Sequence, residues 1–227
     1  MKIDNITLAF SNKIVLREIN LEIKKWEFVF MIGYSGSWKT SLIRSIIWDF
    51  KPREGDIILD NGMALYKNYS EKVLDEYRRS IWIIFQDYKL MESKKVYENV
   101  AFAMEVCGYS DDIIRKKVPE VLEQVGLLVK KDKFVQELSW WEKQRVSIAR
   151  ALVRNPDLII WDEPTWNLDP ETARWIMDIF EELSKQWKTV IIATHDKSIV
   201  DRMNKRVISF KEKQVFSDEL SGKYNLD

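Results

Sequence analysis

The chain has 227 residues, which fits one large domain or a core that carries an inserted subdomain. Its 36 basic and 36 acidic residues give no net charge, which argues against a nucleic-acid-binding protein, and its 46% of hydrophobic residues is ordinary for a globular protein. The single cysteine, Cys107, excludes a disulfide within the chain and indicates a reducing compartment.

The first part of the chain predicts two strands and then a strand–loop–helix unit. Hydrophobic residues alternate along Ile6–Phe10 and Ile19–Ile23, which is typical of half-buried strands. Phe28–Ile32 is a continuous apolar run of strand length that stops at Gly33, and Ser41–Ile47 has a helical pattern. A strand, a glycine-containing loop and a helix in succession are the context that a phosphate-binding loop requires.

The remaining elements alternate between strands and helices. Short apolar strands are predicted at Ile81–Phe85, Leu158–Ile160 and Val190–Ala193, and Val96–Arg150 is mainly helical. Strands that alternate with helices indicate an α/β fold with a largely parallel sheet. The helical stretch around residues 90–150 is interpreted as an insert in that fold.

Residues with strong preferences for helix ends mark two of these helices. One helix within the insert is expected to have Asp111 or Asp112 as its cap and to end at Gly126. A second is expected to open at Pro170 and to be followed by Trp187, at a position that favours left-handed glycine.

The segment that begins at Gly33 matches the phosphate-loop pattern G-x-x-x-x-G-K-[ST] except at Trp38. In such a loop, backbone N–H groups cradle phosphates, Lys39 reaches the β- and γ-phosphates and the Thr40 hydroxyl binds Mg²⁺. The alternative is a glycine turn before an amphipathic helix. The predicted nucleotide-binding residues of this segment are Gly33, Tyr34, Ser35, Gly36, Ser37, Trp38, Lys39, Thr40 and Ser41.

Polar residues follow two later predicted strands. Asp162 is expected to hold Mg²⁺, and Glu163 to polarise the attacking water as a general base. An Asp-Glu pair after a strand is otherwise often part of a solvated loop. His195, the only histidine, follows Val190–Ala193, where α/β sheets place their ligands, and a contact with the γ-phosphate is expected. A structural role is the alternative for a single histidine.

Several motifs together resemble those of the ABC ATPases. Gln86 in I-F-Q-D resembles the Q-loop, the run L-S-W-W-E-K-Q-R at 138–145 resembles the L-S-G-G signature, and D-E-P-T-W-N-L-D at 162–169 resembles the Walker B and D-loop run. Phe10 matches the aromatic residue that stacks on adenine. The resemblance covers about residues 2 to 216.

The family resemblance implies a P-loop NTPase (RecA-like) core with a parallel sheet, an N-terminal antiparallel β subdomain and an inserted helical subdomain. The core would be about 1–87 and 151–227, and the insert about 88–150, within one ATPase domain over 1–227. The implied cofactors are ATP and Mg²⁺, with Gln86 as a metal ligand and catalytic residue beside Glu163 and His195. Further implied nucleotide contacts are Phe10, Ser139, Trp140, Trp141, Glu142 and Asp169.

Within the family, the stretches around residues 77–81, 96–101 and 194–203 are similar to the FtsE subfamily. This similarity implies a homodimer that binds an integral membrane permease of the FtsX kind, acts in cell division and does not bind nucleic acid. One alternative is the ATPase of a lipoprotein-release or macrolide exporter. Another is a catalytically dead scaffold, which applies if the tryptophans at glycine positions are genuine.

The expected location follows from the same resemblance. The N-terminus lacks the apolar segment of a signal peptide, and no apolar run approaches the ~18 residues of a membrane span. We expect a cytoplasmic protein that lies at the inner face of the cell membrane through its partner. In the family, the partner contacts the stretch that corresponds to Asp87–Val100; packing of its apolar residues into the insert's own core is the alternative.

The counts of glycine and tryptophan are unusual. Glycine accounts for only 7 of the 227 residues, about 3% against the usual ~7%, and tryptophan accounts for 10. Eight of the tryptophans lie where the family pattern or the local structure favours glycine. They are Trp26, Trp38, Trp48, Trp82, Trp140, Trp141, Trp166 and Trp187.

Glycine serves in a phosphate loop where φ is positive or where the backbone approaches phosphate closely, so an indole at these positions would obstruct the site. The codon UGA means stop, tryptophan or glycine in different bacterial genetic codes. Our hypothesis is that these tryptophans are glycine codons read in the wrong code. Eight more glycines would bring the content close to the usual ~7%.

Overall fold

The computed structural model describes residues 1–34, 38–67, 69–84, 90–163 and 170–226 of the chain. They form two compact units: a core unit, Met1–Ile83 with Asp157–Asp227, and a helical unit, Ile84–Pro156. The strands are β1 (Lys2–Phe10), β2 (Lys13–Glu22), β3 (Phe28–Gly33), β4 (Glu54–Ile58), β5 (Ile81–Ile84), β6 (Leu158–Asp162), β7 (Thr189–Thr194), β8 (Arg206–Lys211) and β9 (Gln214–Glu219). The helices are α1 (Lys39–Ile46), α2 (Glu71–Ser80), α3 (Val96–Glu105), α4 (Asp111–Gln124), α5 (Trp140–Leu152), α6 (Pro170–Lys185) and α7 (Lys197–Met203).

A six-stranded sheet with the order β5-β6-β7-β3-β8-β9 forms the centre of the core unit. β3 lies between β7 and β8 and pairs in parallel with both, and β6 pairs in parallel with β7. Every residue of β3 is buried, as a strand covered on both faces requires, which explains its uninterrupted apolar sequence. The α/β fold class predicted from the sequence is confirmed.

The N-terminal residues form a separate three-stranded antiparallel sheet with the order β2-β1-β4. Ile3, Ile6 and Leu8 of β1 are fully buried, and Phe10 at its end is 38% exposed. The strand was predicted correctly, but burial does not follow the predicted alternation, because Thr7 is buried as well and the pairing with β2 shifts register between Ile6 and Leu8. β4 was not predicted, because its sequence, E-G-D-I-I, is short and two of its five residues are charged.

The helical unit contains α3, α4 and α5. α4 begins after Ser110, whose side chain makes no capping hydrogen bond, and Asp111 and Asp112 lie in its first turn. The prediction that one of these aspartates caps the helix was therefore wrong by one position. Their negative charges in the first turn still interact favourably with the positive end of the helix dipole. Gly126 follows the helix end with a φ of 66°, as predicted.

Among the helices of the described ranges, none combines the length and the apolar character needed to cross a membrane. The largest fully buried side chains instead lie in the strands and helices of the core unit, with Phe30 in β3, Trp161 in β6 and Phe180 in α6 among them.

The burial of the central sheet predicts that the same substitution at two valines will change the free energy of unfolding by different amounts. Val29 of β3 is completely buried, whereas Val129 is 92% exposed. We expect Val29→Ala to lower the free energy of unfolding by about 2 kcal/mol, since two buried methyl groups are lost and a cavity remains. Val129→Ala should change it by less than about 0.5 kcal/mol. Urea denaturation measures both, and equal effects would contradict the packing described here.

Candidate functional site

The carboxyl ends of three neighbouring parallel strands bring the predicted site residues of the core unit together. β3 ends at Gly33, β6 at Asp162 and β7 at Thr194. Asp162 pairs with Ala193 across β6 and β7, and Ile32 pairs with Thr194 across β3 and β7, so the strand ends are level. Loops at this edge of an α/β sheet form ligand sites.

Lys39 is the first residue of α1 and is buried. Its ammonium group donates hydrogen bonds to the carbonyl oxygens of Gly33, at 2.8 Å, and Tyr34, at 3.4 Å. Burial lowers the pKa of Lys39, while the charges of Glu163 and Asp162 act in the opposite direction. A buried cation at the start of a helix is well placed to bind an anion that enters the loop.

Thr40 and Asp162 are in direct contact. The hydroxyl of Thr40 donates a hydrogen bond of 2.6 Å to Oδ2 of Asp162. Burial raises the pKa of Asp162, and the negative charge of Glu163 raises it further, against the hydrogen bond from Thr40 and the charge of Lys39. Among the described residues, Oδ1 of Asp162 is buried and has no hydrogen-bond partner. A hydroxyl beside an unsatisfied buried carboxylate oxygen offers the oxygen ligands that a hard cation such as Mg²⁺ prefers.

Glu163 and His195 form the second pair of the site. The Nδ1 atom of His195 lies 2.8 Å from Oε2 of Glu163, and the backbone N–H of His195 donates to the same oxygen at 3.3 Å. The backbone N–H of Glu163 donates to the carbonyl of Ala193 at 2.9 Å, which extends the β6–β7 pairing by one residue. Glu163 has a φ of 52°, and strained residues of this kind concentrate at functional sites.

Phe10 contacts two other aromatic rings. It stacks on Phe50, with 4.6 Å between ring centroids, and lies 5.5 Å from the ring of Trp38. The contact with Phe50 was not predicted, since the two phenylalanines are 40 positions apart in the sequence. The one available signal was that Phe50 is an aromatic residue shortly after α1. Trp38, directly before α1, has a φ of 65° and places its indole against Phe10.

The residues that resemble the family signature lie in the helical unit, at the start of α5. Ser139 caps this helix: its hydroxyl accepts a hydrogen bond from the N–H of Glu142, and the carboxylate of Glu142 accepts from the N–H of Ser139 at 3.0 Å. An ion pair with Lys130 lowers the pKa of Glu142 most strongly. Trp140 and Trp141 occupy the first turn, whose N–H groups make a helix N-terminus favourable for anions.

The structure thus groups Lys39, Thr40, Asp162, Glu163 and His195 at one edge of the sheet in the core unit. Tyr34 is exposed beside them, and Ser41 is buried in α1 with its N–H bonded to the carbonyl of Trp38. Other residues predicted for the site lie outside the described residues, namely Ser35, Gly36, Ser37, Gln86 and Asp169.

The chain is similar over nearly its whole length to characterised proteins. The family model described as "ABC transporter" matches residues 16–166. The chain is 42% identical to the cell division ATP-binding protein FtsE of Mycobacterium tuberculosis, covering 99% of this chain and 98% of that protein. It is 43% identical to FtsE of Bacillus subtilis, covering 95% and 94%. The solved dimer of the cassette MJ0796 with ADP and Pi has a TM-score of 0.84 and 32% identity, covering 98% of this chain and 99% of that one.

The raised pKa of Asp162 predicts that its charge destabilises the ligand-free fold. A carboxyl whose folded pKa is raised loses its favourable contribution to stability as the pH rises through that pKa. We therefore expect Asp162→Asn to raise Tm at pH 7 by about 2–4 °C. The gain should shrink as the pH falls towards the ordinary pKa of aspartate.

Scanning calorimetry of the ligand-free protein between pH 4 and 7 measures this difference. Asp132→Asn, at an exposed position, is the matched control and should show no such pH dependence. An Asp162→Asn protein that melts lower than its parent at pH 7 would contradict the destabilising charge.

Proposed function

Because this chain belongs to the ABC transporter family of ATPases, we propose that it is the ATP-hydrolysing subunit of a membrane complex that acts in cell division. The observation that carries the proposal is the grouping of Lys39, Thr40, Asp162, Glu163 and His195 at the carboxyl ends of parallel strands. The similarity to FtsE proteins over almost the whole chain favours division over export.

The loop from Gly33 to Thr40 would hold the phosphates of ATP. Lys39 would exchange its bonds with the Gly33 and Tyr34 carbonyls for bonds with the β- and γ-phosphates. Thr40 and Asp162 would hold Mg²⁺, with Gln86 as a further ligand, and Oδ1 of Asp162 would gain the partner it lacks among the described residues. When bound, the cation would neutralise negative charge on the phosphates.

Glu163 is the proposed general base. It would accept a proton from the water that attacks the γ-phosphorus, the bond to the β-phosphate oxygen would break, and ADP and phosphate would leave. His195, 2.8 Å from Oε2, would fix the direction of this carboxylate and reach the γ-phosphate. Phe10 would stack on the adenine ring.

Two copies of the chain are proposed to act together, as a head-to-tail dimer. The signature residues Ser139, Trp140, Trp141 and Glu142, with Asp169, would complete the nucleotide site of the other copy. Support comes from the N–H groups at the start of α5, which suit a phosphate, and from the dimeric form of the similar cassette MJ0796.

The membrane partner is proposed to be a permease of the FtsX kind that docks on residues 87–100 and keeps the protein peripheral at the inner face of the cell membrane. Leu90 and Met91 are half-buried there, and the backbone N–H and C=O of Met91 are both bonded to the buried side chain of Asn99. This anchoring holds an apolar segment in one conformation, which lowers the entropy lost on binding.

The general-base role predicts separate effects on binding and turnover. In the chain with glycine at the eight tryptophan positions named above, Glu163→Gln should keep its affinity for Mg-ATP, because the phosphate-binding groups remain. Its hydrolysis rate should fall by about 10²- to 10⁴-fold, because the base is lost. Calorimetry and phosphate release measure the two quantities. Glu219→Gln, at an exposed position, is the control, and parallel loss of both quantities at Glu163 would refute the role.

The docking proposal predicts that charge at the apolar segment releases the protein from membranes. In the same glycine-containing chain, Leu90→Asp with Met91→Asp should reduce the membrane-bound fraction and leave basal ATPase activity largely intact. Ser93→Asp places the same charge on an exposed neighbour and should leave the protein bound. Cell fractionation gives the result. Retention of the double variant, or of the parent in cells without an FtsX-like protein, would argue against this surface.

A further inference from the structure

Four tryptophans have a backbone conformation that suits glycine. The φ angles are 66° at Trp26, 65° at Trp38, 63° at Trp48 and 63° at Trp187. In this left-handed region the Cβ atom crowds the following carbonyl group, so that residues other than glycine, asparagine and aspartate rarely enter it. An indole does not relieve this crowding, since it lacks the short polar group with which asparagine bonds to its own backbone.

Trp48 lies in a complete glycine-type helix end. α1 is followed by its C-cap, Ile47, and then by Trp48. The N–H of Trp48 donates to the carbonyl of Ser45 at 3.1 Å, and the N–H of Asp49 donates to the carbonyl of Arg44 at 2.7 Å. This pair of bonds is the Schellman motif, in which the left-handed residue is usually glycine.

Trp187 and Trp26 occupy two further turns. Trp187 lies two residues after the end of α6, is 69% exposed and contacts the ring of Trp26 at 5.0 Å. Trp26 lies in the turn between β2 and β3, is 55% exposed, and its N–H donates to the hydroxyl of Thr189 at 3.0 Å. Both side chains therefore remain largely in solvent, where they bury too little area to compensate a strained backbone.

Trp38 has the same geometry at the start of the proposed phosphate site. Its carbonyl accepts the N–H groups of Ser41 and Leu42, which closes the first turn of α1. Its indole, directly before Lys39, lies against Phe10. A residue without a side chain would leave the backbone unchanged and clear the ring of Phe10, the proposed adenine-stacking residue.

Two other tryptophans lie inside regular secondary structure. Trp161 is 1% exposed in β6 and packs on Phe180 at 4.9 Å, and Trp175 lies in the interior of α6. Neither has a positive φ. The four left-handed tryptophans all belong to the set in which the sequence pattern favours glycine. Trp82, Trp140 and Trp141 of that set have no positive φ, so the backbone argument applies to the four left-handed positions alone.

We propose that the functional protein contains glycine at positions 26, 38, 48 and 187, inserted by a glycine-charged tRNA that reads UGA at these codons. Backbone geometry and residue pattern agree at each of the four positions. The argument for glycine does not depend on ATP hydrolysis or on the membrane partner, because positions 26, 48 and 187 lie outside the phosphate-loop pattern at 33–40.

Glycine and alanine variants at one position both lack the indole, so the difference in Tm between them measures the effect of backbone strain alone. We expect Trp187→Gly to melt about 2–4 °C above Trp187→Ala, since alanine keeps the strained Cβ. At Trp175 the order should reverse by a similar amount, since glycine is unfavourable inside a helix. Trp48 should behave like Trp187. Alanine variants that melt at or above the glycine variants at both 48 and 187 would overturn the proposal.

The phosphate loop gives a functional readout of the same substitution. Trp38→Gly should bind ATP at least about tenfold more tightly than the chain with tryptophan, because the indole that contacts Phe10, the proposed adenine-stacking residue, is removed. If stability follows the expected order and ATP binding does not improve, the assignment of glycine stands and the proposed nucleotide site is wrong.

Decoding is tested on protein isolated from its own cells. Peptides that span positions 26, 38, 48 and 187 are measured by mass spectrometry, which distinguishes glycine from the much heavier tryptophan. Glycine at these positions together with UGA in the coding DNA is the expected result. Tryptophan in the native peptides, or UGG codons, would overturn the proposal.

Discussion

The hydrogen bond between Thr40 and Asp162 joins the first turn of α1 to the end of β6, and the site depends on the position of that carboxylate. Asp162 can be there only because β6 is buried in a parallel sheet, which also removes water from the carboxylate and raises its pKa. The buried strands therefore both place the charge and make it energetically unfavourable without a ligand. Such a site favours the bound state because binding supplies the missing partner.

The neighbouring residues follow from the same arrangement. Once β6 and β7 are level, the residues after them must meet, and Glu163 and His195 form their contact at the point where the sheet hydrogen bonds stop. Glu163 has a left-handed backbone conformation at this point. The proposed general base, held by a constrained backbone and by His195, has few alternative orientations, which suits a reaction that depends on the position of one water molecule.

The parts predicted from sequence were those with strong local signals. β3, β6 and β7 are apolar runs, and the polar residues after them could be placed because parallel strands end at one edge. α2 was not predicted, because Val73, Leu74 and Tyr77 are its only apolar or aromatic residues and only Leu74 is buried. The cap of α4 was misplaced because Ser110 and two aspartates compete for one position. Contacts between distant residues, such as Phe10 with Phe50, have no local signal at all.

The left-handed turn at position 26 has a consequence for heredity. If its codon is UGA, a cell that reads UGA as stop would end translation there, after β1 and β2 and before every residue of the phosphate loop. Such a gene, copied into an ordinary bacterium, would produce a fragment of two strands, too small to bury a stable core. A single turn between two strands would thus exclude the whole gene from lineages in which UGA is a stop codon.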